Sequence, residues 1–458
     1  MVKSKASRKY DIDMCSGPVM KKMLLFAIPL MLSSILQLMF NAADIVVVGR
    51  FAGDDSLAAV GSNTALINLL TNLFVGLSVG ANVVAAICLG AGKSRDVKKT
   101  VHTAMLLSVY SGLVLTAVGI IGARKILVWM QTPEEILDLA VIYLRIYFVG
   151  MVPLMVYNFG SALLRAAGDT RRPLTYLTVS GVVNVVLNLF FVIVFNMDVA
   201  GVALATVVSE TISAGLIVRC MMHESAETGM RLELKSLRID GDKLKRIVRI
   251  GLPAGVQGVI FSLSNVVIQS SINSFGKTVV AGNSAASNIE GFVYMAMNAF
   301  YQSTLSFTSQ NLGAGKPERI GKILRAGLVC VSACGLILGN GVAFLGQYLL
   351  GIYSSESAVI AAGIDRLMII GCTYVLCGIM DVLVGSLRGM GYSVLPMMVS
   401  LIGVCGVRFL WLGTIFTLER FHVPEIIYIS YPISWTLTIT AHIICYVIAK
   451  KRLNISVK

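Results

Sequence analysis

Charge is what long parts of this 458-residue chain do without. Met23 to Ala43, Ser56 to Gly92, Thr100 to Ala123, Pro173 to Met197, Ile250 to Gly276, Ala326 to Ser355 and Ile426 to Ala449 contain no Asp, Glu, Lys or Arg. Each is long enough to cross the roughly 30 Å hydrocarbon layer of a bilayer as a helix. Metal-binding and redox spacings are missing too. The nine cysteines form no CxxC pair and the four histidines stand singly, which removes zinc-ribbon and thiol-redox readings. Cys330 and Cys334 share a helix face and read as small packing residues. Gly90-Ala91-Gly92-Lys93-Ser94 looks like the end of a phosphate-binding loop, but Ile87 stands where that loop needs glycine, which excludes an ATPase site of this kind.

What the chain has is hydrophobicity, 56% of its residues, against 14% charged, with a mean hydropathy of +0.81. These values lie far from soluble averages and predict an all-α integral membrane protein. Five further apolar segments carry one interior charge each, at Arg145, Glu210, Glu290, Asp381 and Arg408, which brings the expected count to twelve spans. The first span is too long for a cleaved signal peptide and is read as helix one.

The net charge of +14 suggests nucleic acid until its distribution is examined. With the amino terminus inside, 30 of the 38 Lys and Arg fall in cytoplasmic segments, and six (Arg50, Arg124, Lys125, Lys277, Arg366, Arg420) fall outside. Arg145 and Arg408 lie within spans. The positive-inside rule accounts for that pattern and puts both termini in the cytoplasm of a multi-pass cell-membrane protein, with the lipid bilayer and no nucleic acid as partner. The charged stretch Arg219 to Arg249 reads as a solvated connector beside anionic headgroups.

The chain is also duplicated. Leu-Gly-Ala-Gly-Lys occurs at Leu89 to Lys93 and again at Leu312 to Lys316. The same displacement carries Leu164-Arg165 onto Leu387-Arg388, Gly168 onto Gly391 and Pro173 onto Pro396; one indel earlier, Pro29 and Asn41 reach Pro253 and Asn265. A half-length repeat in an apolar chain predicts a transporter of two six-helix bundles related by a pseudo-twofold axis along the membrane normal, with a substrate path between them. The expected organisation is a cytoplasmic segment over 1–20, a first lobe over 21–221, a cytoplasmic linker over 222–245, a second lobe over 246–450 and a tail over 451–458.

Transport without an ATPase site draws on an ion gradient, and the intramembrane charges are its candidates. Asp44 closes the apolar run of helix one, where an anion is costly, so a proton or a sodium ion with neutral oxygen donors suits it. Asn184 and Asn188, four apart, project from one face of helix five, and Thr206 and Glu210 lie a turn apart on helix six. Pro29 removes a backbone hydrogen bond within helix one and is the expected hinge, with Pro253 as its counterpart. Tyr157, Tyr294, Tyr301 and Phe307, with some of the 21 methionines, are candidate cavity lining. Glu290 is expected to pair with Arg408 or meet a cationic compound.

These residues carry a resemblance. Ile28-Pro29 with Asn41-Ala42-Ala43-Asp44, Leu164-Arg165-Ala166-Ala167-Gly168-Asp169-Thr170, Gln310-Asn311-Leu312-Gly313-Ala314-Gly315-Lys316 and Leu387-Arg388-Gly389-Met390-Gly391-Tyr392-Ser393 resemble bacterial multidrug and toxic compound extrusion transporters over essentially the whole chain. The resemblance implies a twelve-helix exporter, not an enzyme and expected as a monomer without cofactor, that takes up H+ or Na+ while expelling amphipathic, often cationic, small organic compounds. Its first-lobe cation site matches Asp44, Asn184 and Thr206. Where many relatives have a second acid on helix five this chain has Asn188, which keeps an oxygen donor but does not titrate. Phe261 replaces the helix-seven acid of the sodium site known in another branch, and Asp381 lies near its other acid. A lipid-linked oligosaccharide flippase is the alternative, and it requires several Arg or Lys inside its cavity to hold pyrophosphate. A non-transporting membrane sensor lacks a signalling domain here, and a major-facilitator carrier lacks its Asp-Arg loop pattern.

Overall fold

The structure is a computed structural model that describes residues 11–457. Among the described residues there is no strand, and twelve helical rods account for most of the chain. They are α1 (Val19–Phe51), α2 (Asp54–Gly90), α3 (Ser94–Trp129), α4 (Glu134–Val149 and Met151–Ala167), α5 (Arg171–Val194), α6 (Asp198–Met222), α7 (Gly241–Asn273), α8 (Lys277–Gly313), α9 (Pro317–Phe344), α10 (Ser357–Gly371 and Val375–Gly389), α11 (Val394–Thr414) and α12 (Pro424–Leu453). α4 and α10, which hold the same place in the two repeats, are each bent, by 46° and 44°. By length and composition, eleven of the rods qualify as membrane spans if each bent pair is one. The other, α8, is long enough but interrupted by polar side chains, of which Ser303, Thr304, Ser306, Thr308, Ser309 and Asn311 are buried.

The duplicated motifs are helix stops. Gly92 ends α2 at φ 65° and Gly315 ends α8 at φ 66°, a left-handed conformation that a side chain resists. In both, the following lysine amide reaches back to the chain five residues earlier, Lys93 to the Cys88 carbonyl at 3.1 Å and Lys316 to Asn311 at 2.9 Å, the six-to-one bond of a Schellman motif. Gly168 and Gly391 stop α4 and α10 in the same way. The repeat is therefore preserved as backbone geometry where the intervening side chains have diverged.

The chain folds into two compact units that exchange helix halves. Unit 1 takes Leu32–Gly255 with the stretch up to Asp13, and unit 2 takes Met14–Met31 and Val256–Lys458. α1 thus passes from unit 2 to unit 1 just after Pro29, and α7 passes from unit 1 to unit 2 just after Pro253. Both helices run unbroken through their prolines.

In unit 1 the first part of α7 lies directly on α2. A methyl group added at Gly80 would fall 2.2 Å from the Ile247 carbonyl, and one at Gly76 2.2 Å from the Gly255 nitrogen, while one at Gly251 would fall 2.6 Å from Leu77 Cα and one at Gly255 2.2 Å from the Leu73 carbonyl. Two small-xxx-small stripes let the backbones touch. The core of this unit centres on Leu115, Leu144, Phe148, Met151 and Met155. In unit 2 the first part of α1 packs on α8, with Phe26 against Phe307 edge-on at 5.6 Å and Asn311 Nδ2 donating to the Met14 carbonyl at 2.9 Å. Its core gathers Met380, Val404, Tyr428 and Trp435.

The connector between the repeats is not simply solvated. Met230 and Leu232 are buried, and Glu233 and Asp240 pair with Lys98 and Lys99 of α3 at 2.7 and 2.8 Å. Hydrogen bonds from Lys98 and Lys99 hold the Glu233 and Asp240 carboxyls below their ordinary values. A sequence rich in both signs of charge concealed this, because the matching cations sit on a helix far away in the chain.

Candidate functional site

Asp44, Asn184, Asn188 and Thr206 come together in unit 1. α5 presents Asn184 and Asn188 on one buried face, as their spacing predicts, and the Asn188 amide donates both to the Asp44 carboxylate and to Asn184 Oδ1, the latter at 3.2 Å. Asn184 Nδ2 in turn reaches Thr206 Oγ1 at 3.4 Å, and the Thr206 hydroxyl donates to the Val202 carbonyl at 3.0 Å. Phe40 docks α1 against α5: its ring covers Gly181 so closely that an added methyl would fall inside it. Immediately beyond Asn188 the helix widens into a π turn, Phe190–Val194, a distortion that recurs at functional sites.

Glu210 faces the same place. Its Oε2 and Asn188 Oδ1 are buried with no hydrogen-bond partner among the described residues. Buried acceptors are normally satisfied, so a cluster with acceptors to spare and no basic side chain paired to it fits a small cation or a proton. Tyr143 and Tyr147 on α4 face both carboxylates. Sequence reasoning missed this tyrosine pair, although its four-residue spacing marks one helix face.

Unit 2 is different. Glu290 pairs with Arg366, not with Arg408: the guanidinium grips the carboxylate through Nε at 3.0 Å and Nη2 at 2.7 Å and spends Nη1 on Asn283 Oδ1 at 2.8 Å. Arg366, expected outside the membrane, is buried in α10. The π turn Leu367–Gly371 comes directly after it, and another, Leu401–Gly406, precedes Arg408. Pairing Glu290 with Arg408 follows from both being lone charges inside apolar runs, whereas the actual partner stands at the edge of such a run. Arg388 is a third buried arginine, bonded to Tyr301 Oη at 2.9 Å and Gln257 Oε1 at 2.8 Å. The expectation that only Arg145 and Arg408 lie inside spans is thereby corrected.

Asp381 faces Tyr294 and Arg388 but forms no ion pair among the described residues. Phe307 is fully buried core, and Tyr301 is buried against Arg388, so neither lines an open cavity. Tyr157 donates to the Pro173 carbonyl at 3.0 Å, and Tyr294 remains partly exposed. None of the nine cysteines is in a disulfide, and no group of His, Cys, Asp and Glu fit to hold a metal occurs among the described residues.

A duplicated set of long apolar helices with charges held inside is the construction of a membrane carrier. The match to known families is as definite: the MatE family model fits residues 29–190 and again 253–411, one repeat each, and the chain belongs to that family of multidrug efflux transporters. Among its relatives, the probable multidrug resistance protein YoeA of Bacillus subtilis is 26% identical and covers 92% of both chains. The FAD transporter of Shewanella oneidensis is 24% identical over 81% of this chain and 83% of its own. A solved structure described as the outward-facing conformation of a multidrug resistance MATE family transporter superposes with a TM-score of 0.88, covering 97% of this chain and 98% of the other at 20% identity. That likeness establishes the shared fold.

Proposed function

We propose that this chain is a secondary active exporter that expels amphipathic organic compounds, cationic ones among them, in exchange for H+ or Na+ bound at Asp44, and that it needs no other cofactor. It works as a monomer in the cell membrane, with both termini in the cytoplasm, and Pro29 serves as the hinge of α1. The observation that carries the reading is the Asp44 cluster, a carboxylate set among Asn184, Asn188 and Thr206, with further acceptors lacking donors. Asp44 is the carboxylate that Asn188 addresses, and Glu210 stands in reserve. Binding one monovalent cation neutralises it and lowers the cost of closing an apolar surround over it. Exchange works only if ion and cargo favour different states of the protein, since differential affinity alone shifts such an equilibrium.

The test is efflux from proteoliposomes under an imposed H+ or Na+ gradient with an organic cation as cargo. Wild type should respond to one of the two gradients, and Asp44→Asn, a permanent mimic of the neutral form, should bind cargo yet lose the gradient-driven component. Normal gradient-driven efflux by Asp44→Asn would move the coupling site to Glu210, Glu290 or Asp381.

A further inference from the structure

Arg408 is 4% exposed and has no acid. Its Nε donates to Ser434 Oγ at 3.0 Å, and its terminal nitrogens form no hydrogen bond or ion pair among the described residues. The ionisable groups that act most on its charge are Tyr431, Cys377, Cys405 and Tyr374, none a carboxylate. Glu290 cannot serve, because Arg366 already grips both its oxygens. A guanidinium held inside a span with its planar fork unspent is costly, and such charges mark ligand paths.

The surroundings specify more than charge. The Arg408 guanidinium carbon lies 3.8 Å from the centre of the Tyr431 ring and 5.6 Å from Trp435. Trp435 stands 5.6 Å from Tyr374 and 5.7 Å from Tyr431, and Tyr374, Tyr431, Tyr294 and Phe261 are all partly exposed on the same cluster. The π turn Leu401–Gly406 ends two residues before Arg408. Rings offer stacking faces, and the fork offers two parallel donors to a carboxylate.

We propose that Arg408, with the rings of Tyr431, Trp435 and Tyr374, is a recognition site in unit 2 for an aromatic anion, a planar ring bearing a carboxylate. This rests on the reading of the chain as an exporter of amphipathic compounds and extends its cargo to aromatic acids. The carboxylate takes the terminal N–H groups of Arg408, and the ring packs on the aromatic faces. Charge recognition and shape recognition are thereby assigned to different side chains.

The experiment is calorimetric titration of the whole protein in lipid nanodiscs, with no gradient, using 2-naphthoate, its neutral amide, the corresponding ammonium (2-naphthylmethylammonium) and geranyl pyrophosphate. Wild type should bind naphthoate about tenfold or more tightly than the amide, the value of a charge-assisted pair. Arg408→Gln should abolish that preference, and Tyr431→Leu should weaken naphthoate about fivefold while keeping the preference over the amide. Equal affinity for acid and amide, a preference that survives Arg408→Gln, tighter binding of the ammonium, or no binding of any probe would overturn the proposal. Tighter binding of geranyl pyrophosphate would also overturn it, in favour of a lipid-pyrophosphate cargo. The probe series on wild type decides the matter even if Arg408→Gln does not fold. Because no gradient is used, lost coupling at Asp44 and lost binding at Arg408 are separate results.

Discussion

The two units are copies whose polar clusters differ in charge. On corresponding helices, unit 1 places Asp44, Asn184 and Asn188 where unit 2 has Ile268, Val407 and Trp411. Unit 1 holds two carboxylates, Asp44 and Glu210, with no arginine or lysine paired to either among the described residues. Unit 2 holds Arg388 and Arg408 with no carboxylate bonded to them, and uses its one fully gripped acid, Glu290, to neutralise Arg366. The same backbone thus supports a cluster short of positive charge and a cluster short of negative charge. Duplication supplies the scaffold, and a few side chains decide the charge that each copy carries at its polar cluster.

This contrast is broken most forcefully by removing one acid from each unit. Glu290→Gln leaves Arg366 buried and unpaired, which should cost about 3–5 kcal/mol and lower the thermal midpoint of detergent-solubilised protein clearly. Replacing both partners, Glu290→Met with Arg366→Met, should recover most of that loss, because a pair exchanged for apolar groups is often neutral. Asp44→Asn, by contrast, should leave the midpoint unchanged or raised, since no base loses a partner. Equal destabilisation by Glu290→Gln and Asp44→Asn would show that the units do not differ in the way described.

Smaller effects sharpen the comparison. A Cβ at Gly80 meets backbone, not a movable side chain, so Gly80→Ala should destabilise by about 1–3 kcal/mol in the same melting assay. Asn188→Asp adds a titrating group beside Asp44 and should change the preference for H+ over Na+ in proteoliposomes without abolishing efflux. At the linker, Glu233 and Asp240 have lowered carboxyl values, so their contribution is present above the ordinary carboxyl range and is lost as the pH falls through the lowered ones. Protease cleavage between Glu224 and Asp240 should accordingly increase at acid pH and in high salt, a modest change because both acids are partly exposed.

Much of this was legible in the sequence. Twelve spans followed from missing charge, the repeat from a pentapeptide, and the Asn184–Asn188 face from a spacing of one turn. Arg366 was assigned to the outside because it flanks an apolar run, and a residue at a run's edge is placed inside or outside only by what its side chain meets. The Glu290–Arg366 pair depends on which side chains meet across α8 and α10, and the π turns Leu367–Gly371 and Leu401–Gly406 likewise have no compositional signature. The exchange of helix halves near Pro29 and Pro253 was equally hidden, since it is a matter of neighbours far apart in the chain.

The seam between α2 and the first part of α7 carries its own consequence for how this sequence can vary. Gly76, Gly80, Gly251 and Gly255 sit on two helices far apart in the chain, yet none has room for a single carbon without moving main chain. Elsewhere in a membrane span one apolar residue substitutes for another at little cost, so natural drift is broad. Here the permitted alphabet shrinks to one letter at four positions. A saturation library scored for function should show two short stripes of near-total intolerance on α2 and α7, spaced one helical turn apart.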